Sequence, residues 1–307
     1  MANAYYEKIA RINLTTGTVT VEKLDTELAK KFIGGRGLGT KIVYDEGCAT
    51  VDPLGPDNKL VYITGPLTGA GAPSSGRYMV VTKSPLTGMI ACSNSGGIWG
   101  AKLKYAGWDA LIVEGEAPEW TYINIEDDKI ELLDAREYLG LFSEELDDKL
   151  KEKHGKDSSV LSIGIAGEKK VLLAAIMNDK DRAAGRSGVG AVMGSKKLKG
   201  IVVTASKKNA DDCLASAENL KAAMDEKGAG VLEDPAVKVG MSIFDECMKL
   251  QDMNTKAVGT AYEQARSNYT AGLLEWKKGQ PSYPDANFTM RLTYGTVKGY
   301  SPKDAVI

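Results

Sequence analysis

The stretch VYITGPLTGAG (residues 61–71), followed by SNSGG (residues 93–97), carries the main information on the fold. An apolar strand pattern ends in a glycine-rich loop, a second strand pattern follows, and another glycine-rich loop closes the segment. The same order returns in VLSIGIAGE (residues 160–168) and AAGRSGVG (residues 183–190). The two segments share few identical residues, so the echo lies in the order of strands and loops. We interpret it as the sign of a two-lobed, duplicated domain.

Strand and helix patterns surround these segments. Residues 6–24 alternate around a Thr-Thr-Gly turn and predict an opening hairpin, and residues 122–133 predict another. Helical spacing predicts helices over residues 25–32, ended by Gly34 and Gly35, and over 143–153. Further strands are predicted at residues 60–64, 78–82, 110–114, 160–165, 172–177 and 200–204. Strands mixed with a few short helices, without a βαβ rhythm, predict an α+β fold.

The composition excludes several classes of protein. A chain of 307 residues, 43% hydrophobic and 26% charged, is typical of a globular protein with a sizeable core. Its net charge of −2 provides no field that would attract nucleic acid or an anionic membrane. The four cysteines lie far apart without a CxxC pair, which argues against a disulfide framework. With no secretory signal or long apolar run, we expect a cytoplasmic protein.

Glycine usage changes near position 205, because most of the 34 glycines precede it. Glycine serves where the backbone turns at positive φ or approaches a ligand closely, so the two parts follow different rules. We predict a β-rich domain at residues 1–207, a helical linker at 208–231 and a mainly helical segment at 232–307.

Three glycine-rich clusters carry arginine or amide side chains. They are GGRGLG (34–39), SGRY with SNSGG (75–78 and 93–97), and RAAGRSGVG (182–190). Backbone N–H groups in such loops can cradle phosphate oxygens, and an arginine adds a charge-assisted fork. Several such loops favour a large phosphorylated ligand over a single nucleotide. The alternative is a set of tight turns, and spacing alone leaves both open.

Other candidate sites fit less well. No cluster keeps the Rossmann spacing, and no Walker GK[ST] occurs. His154, the single histidine, stands in the charged run KEKHGKD and is interpreted as a solvated surface residue. Asp109 and Glu114 could be acid–base groups, but ordinary loop carboxylates are the better interpretation. We nominate no Ser–His–Asp site and no catalytic side chain.

At these clusters the sequence resembles the amino-terminal domain of the aldehyde ferredoxin oxidoreductase family. The resemblance is collinear over about 200 residues, from about residue 5 to about residue 205. Its segments are FIGGRGLGTKIVYDE (32–46), VDPLGPDNKLVYITGPLTG (51–69), SSGRYMVVTKSPLTG (74–88), SNSGG (93–97), LKYAGWDALIVEG (103–115) and IMNDKDRAAGRSGVGAVMGSKKLK (176–199).

The resemblance implies a tungsten or molybdenum ion held by two pterins above a two-lobed domain. The residues that it assigns to cofactor binding are Arg77, Asn94, Ser95, Gly96, Gly97, Arg182, Ala183, Gly185 and Arg186. It implies that Arg77 and Arg182 contact the pterin phosphates. It also implies that Asn94 and Ala183 offer backbone carbonyls to a magnesium ion bridging those phosphates. Gly96 and Gly185 would let the backbone approach the pterin, while the cofactor carries the chemistry.

The family reaction oxidises aldehydes to carboxylates and passes electrons through a [4Fe–4S] cluster to ferredoxin. This chain departs from that pattern, since the CxxCxxxC ligands of the cluster are not present in it. Family members are also longer, and their helical later domains form the substrate tunnel. We therefore expect pterin binding without complete turnover, together with ferredoxin or a separate electron-transfer subunit. A homodimer or a partner chain could supply the later domains, and a non-catalytic scaffold subunit is the alternative.

The tail, from about residue 232, resembles an interior segment of bacterial dipeptidyl peptidases with a chymotrypsin-like serine site. YPDANFTMRLTYG (residues 283–295) is the most specific part. The catalytic His, Asp and Ser of those peptidases lie outside this segment. The tail is therefore interpreted as a peptidase fragment without its active site, joined by fusion or sequence misassembly between residues 228 and 234. An inactive peptidase fusion is thus a further alternative.

Overall fold

The structure, a computed structural model, describes residues 5–70 and 75–206, together with the single residues Asn268 and Glu275. The chain separates into two compact units, Met1–Gly228 and Ala229–Ile307. The predicted linker and the predicted mainly helical segment fall outside the described residues, apart from Asn268 and Glu275, which are both helical. The division into three parts therefore stays a prediction. Among the described residues, no helix is both long and apolar enough to cross a bilayer.

The first lobe, residues 8–114, contains six strands and three helices. Its strands are β1 (Lys8–Asn13), β2 (Thr18–Lys23), β3 (Leu60–Ile63), β4 (Tyr78–Lys83), β5 (Ile90–Ser95) and β6 (Ala110–Glu114). Its helices are α1 (Thr26–Phe32), α2 (Gly35–Asp45) and α3 (Trp99–Tyr105).

The second lobe, residues 121–204, also contains six strands and three helices. Its strands are β7 (Thr121–Glu126), β8 (Lys129–Asp134), β9 (Ser159–Ser162), β10 (Ile176–Asn178), β11 (Arg182–Ala184) and β12 (Leu198–Thr204). Its helices are α4 (Ser143–His154), α5 (Ile165–Glu168) and α6 (Val189–Ser195), and a 3₁₀ turn covers Arg136–Tyr138.

Both lobes have the same strand order. The first sheet runs β2-β1-β6-β3-β4-β5, and the second runs β8-β7-β12-β9-β10-β11, which is the first order shifted by six strands. In each sheet the first and last strands of the lobe pair in parallel. All other pairs are antiparallel. This repeat confirms the two-lobed α+β prediction and supports its duplication.

An apolar core lies between the two sheets. It joins Tyr62, Tyr78 and Trp99 of the first lobe to Val192 and Met193 of α6. The remaining face of the first sheet is covered by α1 and α2, and that of the second by α4. Burial on both faces explains why β3 reads as a continuous apolar run rather than an alternating one. Fully buried aromatic side chains in the shared core make the two lobes one packed body.

The GGRGLG cluster is neither a loop nor a tight turn, because its residues from Gly35 onward form the start of helix α2, with Gly34 as the N-cap. The short helix α1 ends as predicted, but α2 begins at once, at Gly35. A Cβ at Gly37 would lie 2.4 Å from the carbonyl oxygen of Phe32, and one at Gly39 would lie 2.7 Å from Val81 Cγ2. Two glycines of this cluster are therefore needed for close packing of α2 and not for a ligand.

Most predicted strands and helices are found, with differences at their ends. Both predicted hairpins are present as β1–β2 and β7–β8, and the predicted helix at residues 143–153 is α4. The strand expected at residues 172–177 begins only at Ile176, so that prediction is largely wrong. Strands β5 and β11 and helices α3 and α6 were not predicted, because glycines and short polar residues in these segments indicate loops.

Candidate cofactor-binding site

Two glycine loops occupy equivalent places in the two lobes. The first glycine loop, residues 94–98, leads from the end of β5 into α3, and the second glycine loop, residues 183–188, leads from the end of β11 into α6. Strand order makes Asn94 equivalent to Ala183 and Gly96 equivalent to Gly185. Strands β5 and β11 pack against each other, so the fold brings the two loops together from distant parts of the sequence.

Most of the residues predicted to bind the cofactor lie on the surface at these loops. The exposed ones are Arg77, Asn94, Gly97, Arg182, Ala183, Gly185 and Arg186. Gly96 is half-buried. Ser95 is buried, and its hydroxyl donates to Asn178 Oδ1 at 2.7 Å, so this side chain supports the loop from within.

Gly96 and Gly185 are not explained by the turns in which they lie. Neither has a positive φ, which would favour glycine. The nearest atom to an added Cβ would be Arg77 Nε at 3.7 Å for Gly96, and Ala183 Cβ at 3.8 Å for Gly185. Both distances are ordinary van der Waals contacts, so the protein itself could accommodate alanine. Open space over the same position in both lobes is what close approach of a ligand to the backbone would require.

Gly97 and Gly188 differ, because the fold itself requires them. Their φ angles are +82° and +68°, in the left-handed region. A Cβ at Gly97 would lie 2.6 Å from Asn178 Nδ2, and one at Gly188 would lie 2.2 Å from the carbonyl oxygen of Leu172. The alternative of tight turns therefore holds for these two glycines and fails for the other pair.

Three exposed arginines surround the loops. Because Tyr78 pairs with Ser95, Arg77 lies beside Gly96, and its Nη1 donates to Asn94 Oδ1 at 3.1 Å. Arg182 Nε lies 3.8 Å from Asp181 Oδ1, a loose and exposed pair. Neither Arg77 nor Arg186 forms an ion pair with any other described residue. An exposed guanidinium group that no carboxylate neutralises can donate two hydrogen bonds to one phosphate group.

Asn178 and Asp179 form hydrogen bonds to the first glycine loop, although no motif in the sequence marks them. Asn178 Nδ2 donates to the carbonyl oxygen of Gly96 at 3.0 Å, and the amide of Ile98 donates to Asp179 Oδ2 at 2.9 Å. The available signal was a pair of polar residues at the end of an apolar strand, since Asn178 is the last residue of β10 and Asp179 follows it.

The other candidate groups are used within the fold. The Nζ of Lys104 donates to buried Asp109, and Glu114 binds Lys59 at 2.7 Å and Arg11 at 3.1 Å. Asp109 is therefore not an ordinary loop carboxylate, and Glu114 lies at the end of β6. His154, predicted to be a solvated surface residue, is half-buried, and its Nε2 lies 3.0 Å from the hydroxyl of Tyr122. Burial, assisted by Lys153, lowers the pKa of His154.

The described part of the chain contains no group of three or more His, Cys, Asp or Glu side chains that could hold a metal ion. Two of its cysteines are described, both as free thiols: Cys48 is buried and Cys92 is half-buried. The ligands offered at the glycine loops are instead backbone groups, arginines and the Asn94 amide.

The sequence matches the family model described as the aldehyde ferredoxin oxidoreductase N-terminal domain over residues 9–205. The tungsten-containing aldehyde ferredoxin oxidoreductase of Pyrococcus abyssi is 54% identical over 205 residues, covering 66% of this chain and 34% of that protein. The enzyme of the same name from Thermococcus kodakarensis is 43% identical over 288 residues, covering 90% of this chain and 47% of its own length. The chain thus spans about a third to about half of these relatives.

Among solved structures, the active-site complex BamBC of benzoyl coenzyme A reductase, determined with 1,5-dienoyl-CoA, is similar in fold. The TM-score is 0.65 at 36% sequence identity, and the match covers 66% of this chain and 31% of that chain.

A second family model, peptidase S46, matches residues 144–307. The Asp/Glu-specific dipeptidyl-peptidase of Porphyromonas gingivalis is 47% identical over 74 residues, which is 24% of this chain and 10% of that protein. These matches confirm the resemblance of the carboxy-terminal region. Residues 144–205 fall within both family models, and in the structure they supply α4 to α6 and β9 to β12 of the second lobe.

Proposed function

The chain belongs to the aldehyde ferredoxin oxidoreductase family through residues 9–205 and to the peptidase S46 family through residues 144–307, and from this premise we propose a function for its two glycine loops. The loops bind a tungsten bis-pterin cofactor as part of an enzyme that oxidises aldehydes to carboxylates. A molybdenum ion is the alternative metal. The chain supplies the binding surface for the cofactor, and complete turnover requires further polypeptide.

The observation that carries this proposal is the open space at Gly96 and Gly185. These glycines occupy equivalent positions in two lobes of equal topology, and no described residue requires glycine at either. A ligand that touches both loops in the same way would have two similar halves. A cofactor with two pterins meets that condition, whereas a single nucleotide does not.

The residues around the loops fit the remaining groups of such a cofactor. Arg77 and Arg182, both exposed, would bind the pterin phosphates, and Arg186 adds positive charge beside them. The backbone carbonyls of Asn94 and Ala183 would bind a magnesium ion between those phosphates, since Mg²⁺ prefers oxygen ligands. Ser95 and Gly97 would shape the first glycine loop. The metal–pterin cofactor supplies the redox chemistry, and the chain binds and orients it.

Electrons must leave such a cofactor one or two at a time. We propose ferredoxin, or a separate electron-transfer subunit that carries a [4Fe–4S] cluster, as the acceptor. The names of the relatives support ferredoxin. We also propose a second copy of this chain or another chain as a partner. A cytoplasmic location fits these partners.

Metal and pterin analysis of anaerobically purified protein tests the proposal. The full chain would be produced in a host that makes the pterin and is supplied with tungstate and molybdate. Tungsten, molybdenum, pterin and phosphate would then be measured per polypeptide. We expect tungsten and pterin at a ratio of one to two. Protein that is folded but free of metal and pterin would contradict the proposal and favour a scaffold.

Arginine variants test the assignment of the phosphate contacts. A charge-assisted hydrogen bond contributes about 1.5–3 kcal/mol, so Arg77→Ala and Arg182→Ala should each lower cofactor affinity roughly 10- to 100-fold. Arg136→Ala is the matched control, because Arg136 is exposed but paired with Asp134 at 2.6 Å on the hairpin side of the second lobe. Unchanged cofactor content in both test variants would reject the assignment.

A further inference from the structure

We propose that Asn178 and Asp179 are positioning residues that hold the first glycine loop in the conformation that receives the cofactor. The pair belongs to the second lobe, whereas the loop belongs to the first. The identity of the cofactor rests on the proposed function, but the contacts that hold the loop do not.

Asn178 uses the whole hydrogen-bonding capacity of its side chain. It is 1% exposed. Its Oδ1 accepts from the hydroxyl of Tyr78 at 3.0 Å and from that of Ser95 at 2.7 Å. Its Nδ2 donates to the carbonyl oxygen of Gly96 at 3.0 Å and to Asp179 Oδ2 at 3.1 Å. An amide side chain has two donors and two acceptor lone pairs, so all four are satisfied.

Asp179 fixes the other end of the loop. Its Oδ2 accepts from the backbone amide of Ile98 at 2.9 Å, and its Oδ1 accepts from the hydroxyl of Ser159. Asn178 therefore binds the carbonyl of Gly96, and Asp179 binds the amide of Ile98, on either side of Gly97. Asp179 has a φ of 47°, in the left-handed region that Asn and Asp adopt more readily than most residues.

The same contacts place Arg182. A Cβ at Gly97 would lie 2.7 Å from Asp179 Oδ2 and 3.2 Å from Arg182 Cγ, so the loop backbone rests directly on both side chains. The stem of Arg182 thus lies against the loop that Asp179 holds. Any shift of the loop would change the distance between Gly96 and one of the two arginines assigned to phosphate.

The second glycine loop is held in a reciprocal way by the first lobe. Ser84 Oγ donates to the carbonyl oxygen of Ser187 at 2.8 Å, and the amide of Arg186 donates to Ser93 Oγ at 3.0 Å. Ser84 directly follows β4, and Asp179 directly follows β10, so both leave the fourth strand of their lobes. Each lobe therefore stabilises the loop of the other from an equivalent position. We call these contacts the interlobe clasp.

Hydrogen exchange and cofactor loss test this role together. We would prepare Asn178→Ala and Asp179→Ala, measure amide exchange at residues 96–98 in cofactor-free protein, and follow tungsten and pterin retained by loaded protein over time. Asp179→Ala removes a hydrogen bond to a charged group, worth about 1.5–3 kcal/mol, so loop exchange and cofactor loss should each be roughly 10- to 100-fold faster. Asn178→Ala removes a neutral bond to the loop, worth about 0.5–1.5 kcal/mol, so both should be roughly 2- to 10-fold faster. Exchange in β3 and β4 should stay close to that of the wild type.

Two further variants separate positioning from general stability. Tyr62→Phe removes another buried interlobe hydrogen bond, to Met193 Sδ at 3.3 Å, but does not touch the loops. It should leave loop exchange and cofactor loss unchanged. Asp179→Asn keeps an acceptor for the Ile98 amide and should recover most of the protection. Should Asn178→Ala fail to fold, Ser95→Ala removes one donor to Asn178 and provides the same test.

Unchanged exchange at residues 96–98 in both alanine variants would overturn the proposal. An equal increase in Tyr62→Phe would also overturn it, because the effect would then reflect interlobe stability alone. A wild-type protein without pterin would instead refute the proposed function, while the exchange measurement would still decide whether Asn178 and Asp179 hold the loop.

Discussion

The two lobes share a strand order, but the buried lysines near the ends of the equivalent helices α3 and α6 are neutralised differently. In the first lobe Lys104, on α3, pairs with Asp109, and both side chains are at most 5% exposed. In the second lobe Lys196 caps α6, the helix equivalent to α3. Its Nζ donates to the backbone carbonyls of Pro56 at 3.3 Å and Gly115 at 3.1 Å. Strand order has thus been kept between the lobes, whereas the neutralisation of charge at this helix end has diverged. Lys199, a further buried lysine of the second lobe, pairs with Glu168 at 2.5 Å.

The difference has an electrostatic consequence. Burial, with a smaller contribution from the charge of Lys59, lowers the pKa of Lys196 to about 8. A carboxylate compensates the charge of Lys104, but among the described residues the hydrogen bonds of Lys196 go to neutral oxygens of the first lobe. Carbonyl dipoles compensate a buried ammonium less completely than a carboxylate does. The second lobe therefore carries a charge that the fold tolerates at a cost.

Breaking the ion pair of the first lobe should give the largest effect. Asp109→Asn leaves the ammonium of Lys104 buried without its counter-ion, which typically costs about 3–5 kcal/mol. Urea unfolding would measure the loss in free energy of unfolding. The double variant Lys104→Met, Asp109→Leu should recover much of it, since neither charge remains. Asp128→Asn, which removes an exposed pair with Lys8, is the control and should cost less than about 1 kcal/mol. If Asp109→Asn lost no more free energy of unfolding than Asp128→Asn does, the buried ion pair would not be the stronger one.

Lys196 of the second lobe should instead make the free energy of unfolding depend on pH. Between about pH 8 and pH 10.5 the unfolded chain keeps a proton that native Lys196 has released. Unfolding then takes up a proton, so the free energy of unfolding rises with pH across this window, by about 3 kcal/mol at most. Below pH 8 both states are protonated and the full cost of burial remains. The rise would be measured as the difference between wild type and Lys196→Met, and equal slopes in both proteins would refute it.

The smallest effect on stability is expected where serine hydroxyls of the first lobe hold the second glycine loop in the interlobe clasp. Ser93 gives the second glycine loop a neutral hydrogen bond, worth about 0.5–1.5 kcal/mol, whereas Asp179 gives the first loop a charged one. Ser93→Ala should therefore lower the free energy of unfolding by about 1 kcal/mol and speed amide exchange at Arg186 by roughly 10-fold at most. If Ser93→Ala lowered stability or sped exchange more than Asp179→Ala does, the charge of Asp179 would not be what makes its contact the stronger one.

The parts of the fold that depend on neighbours in sequence could be predicted. The hairpin of β1 and β2 follows from alternation around Gly17, and α4 from its helical spacing. Helix α2 could not be predicted, because glycine disfavours helices by propensity. It forms because Gly37 and Gly39 let it approach Phe32 and Val81 closely, which is a tertiary effect.

The candidate site was predictable in outline only. Glycine and arginine in clusters indicate an anion-binding surface, and the family resemblance names its residues. Sequence alone did not separate Gly96, which has open space above it, from Gly97, which the fold requires. The clasp was also out of reach, since Asn178 meets Ser95 and Gly96 across more than 80 positions. Contacts of that range depend on how the two lobes pack.

The parallel pairing of first and last strands gives each lobe a high contact order. Strand β1 cannot form its parallel pair until β6 has been synthesised, because Ile9 pairs with Ala110. In the same way, β7 cannot pair until β12 has been synthesised. Such distant pairings make folding slow. During synthesis the first sheet can close once Glu114 has emerged, but its inner face, with Tyr62 and Tyr78, has only Trp99 and the rest of α3 against it until the second lobe arrives. The repeat therefore makes the first lobe dependent on the second for protection against aggregation.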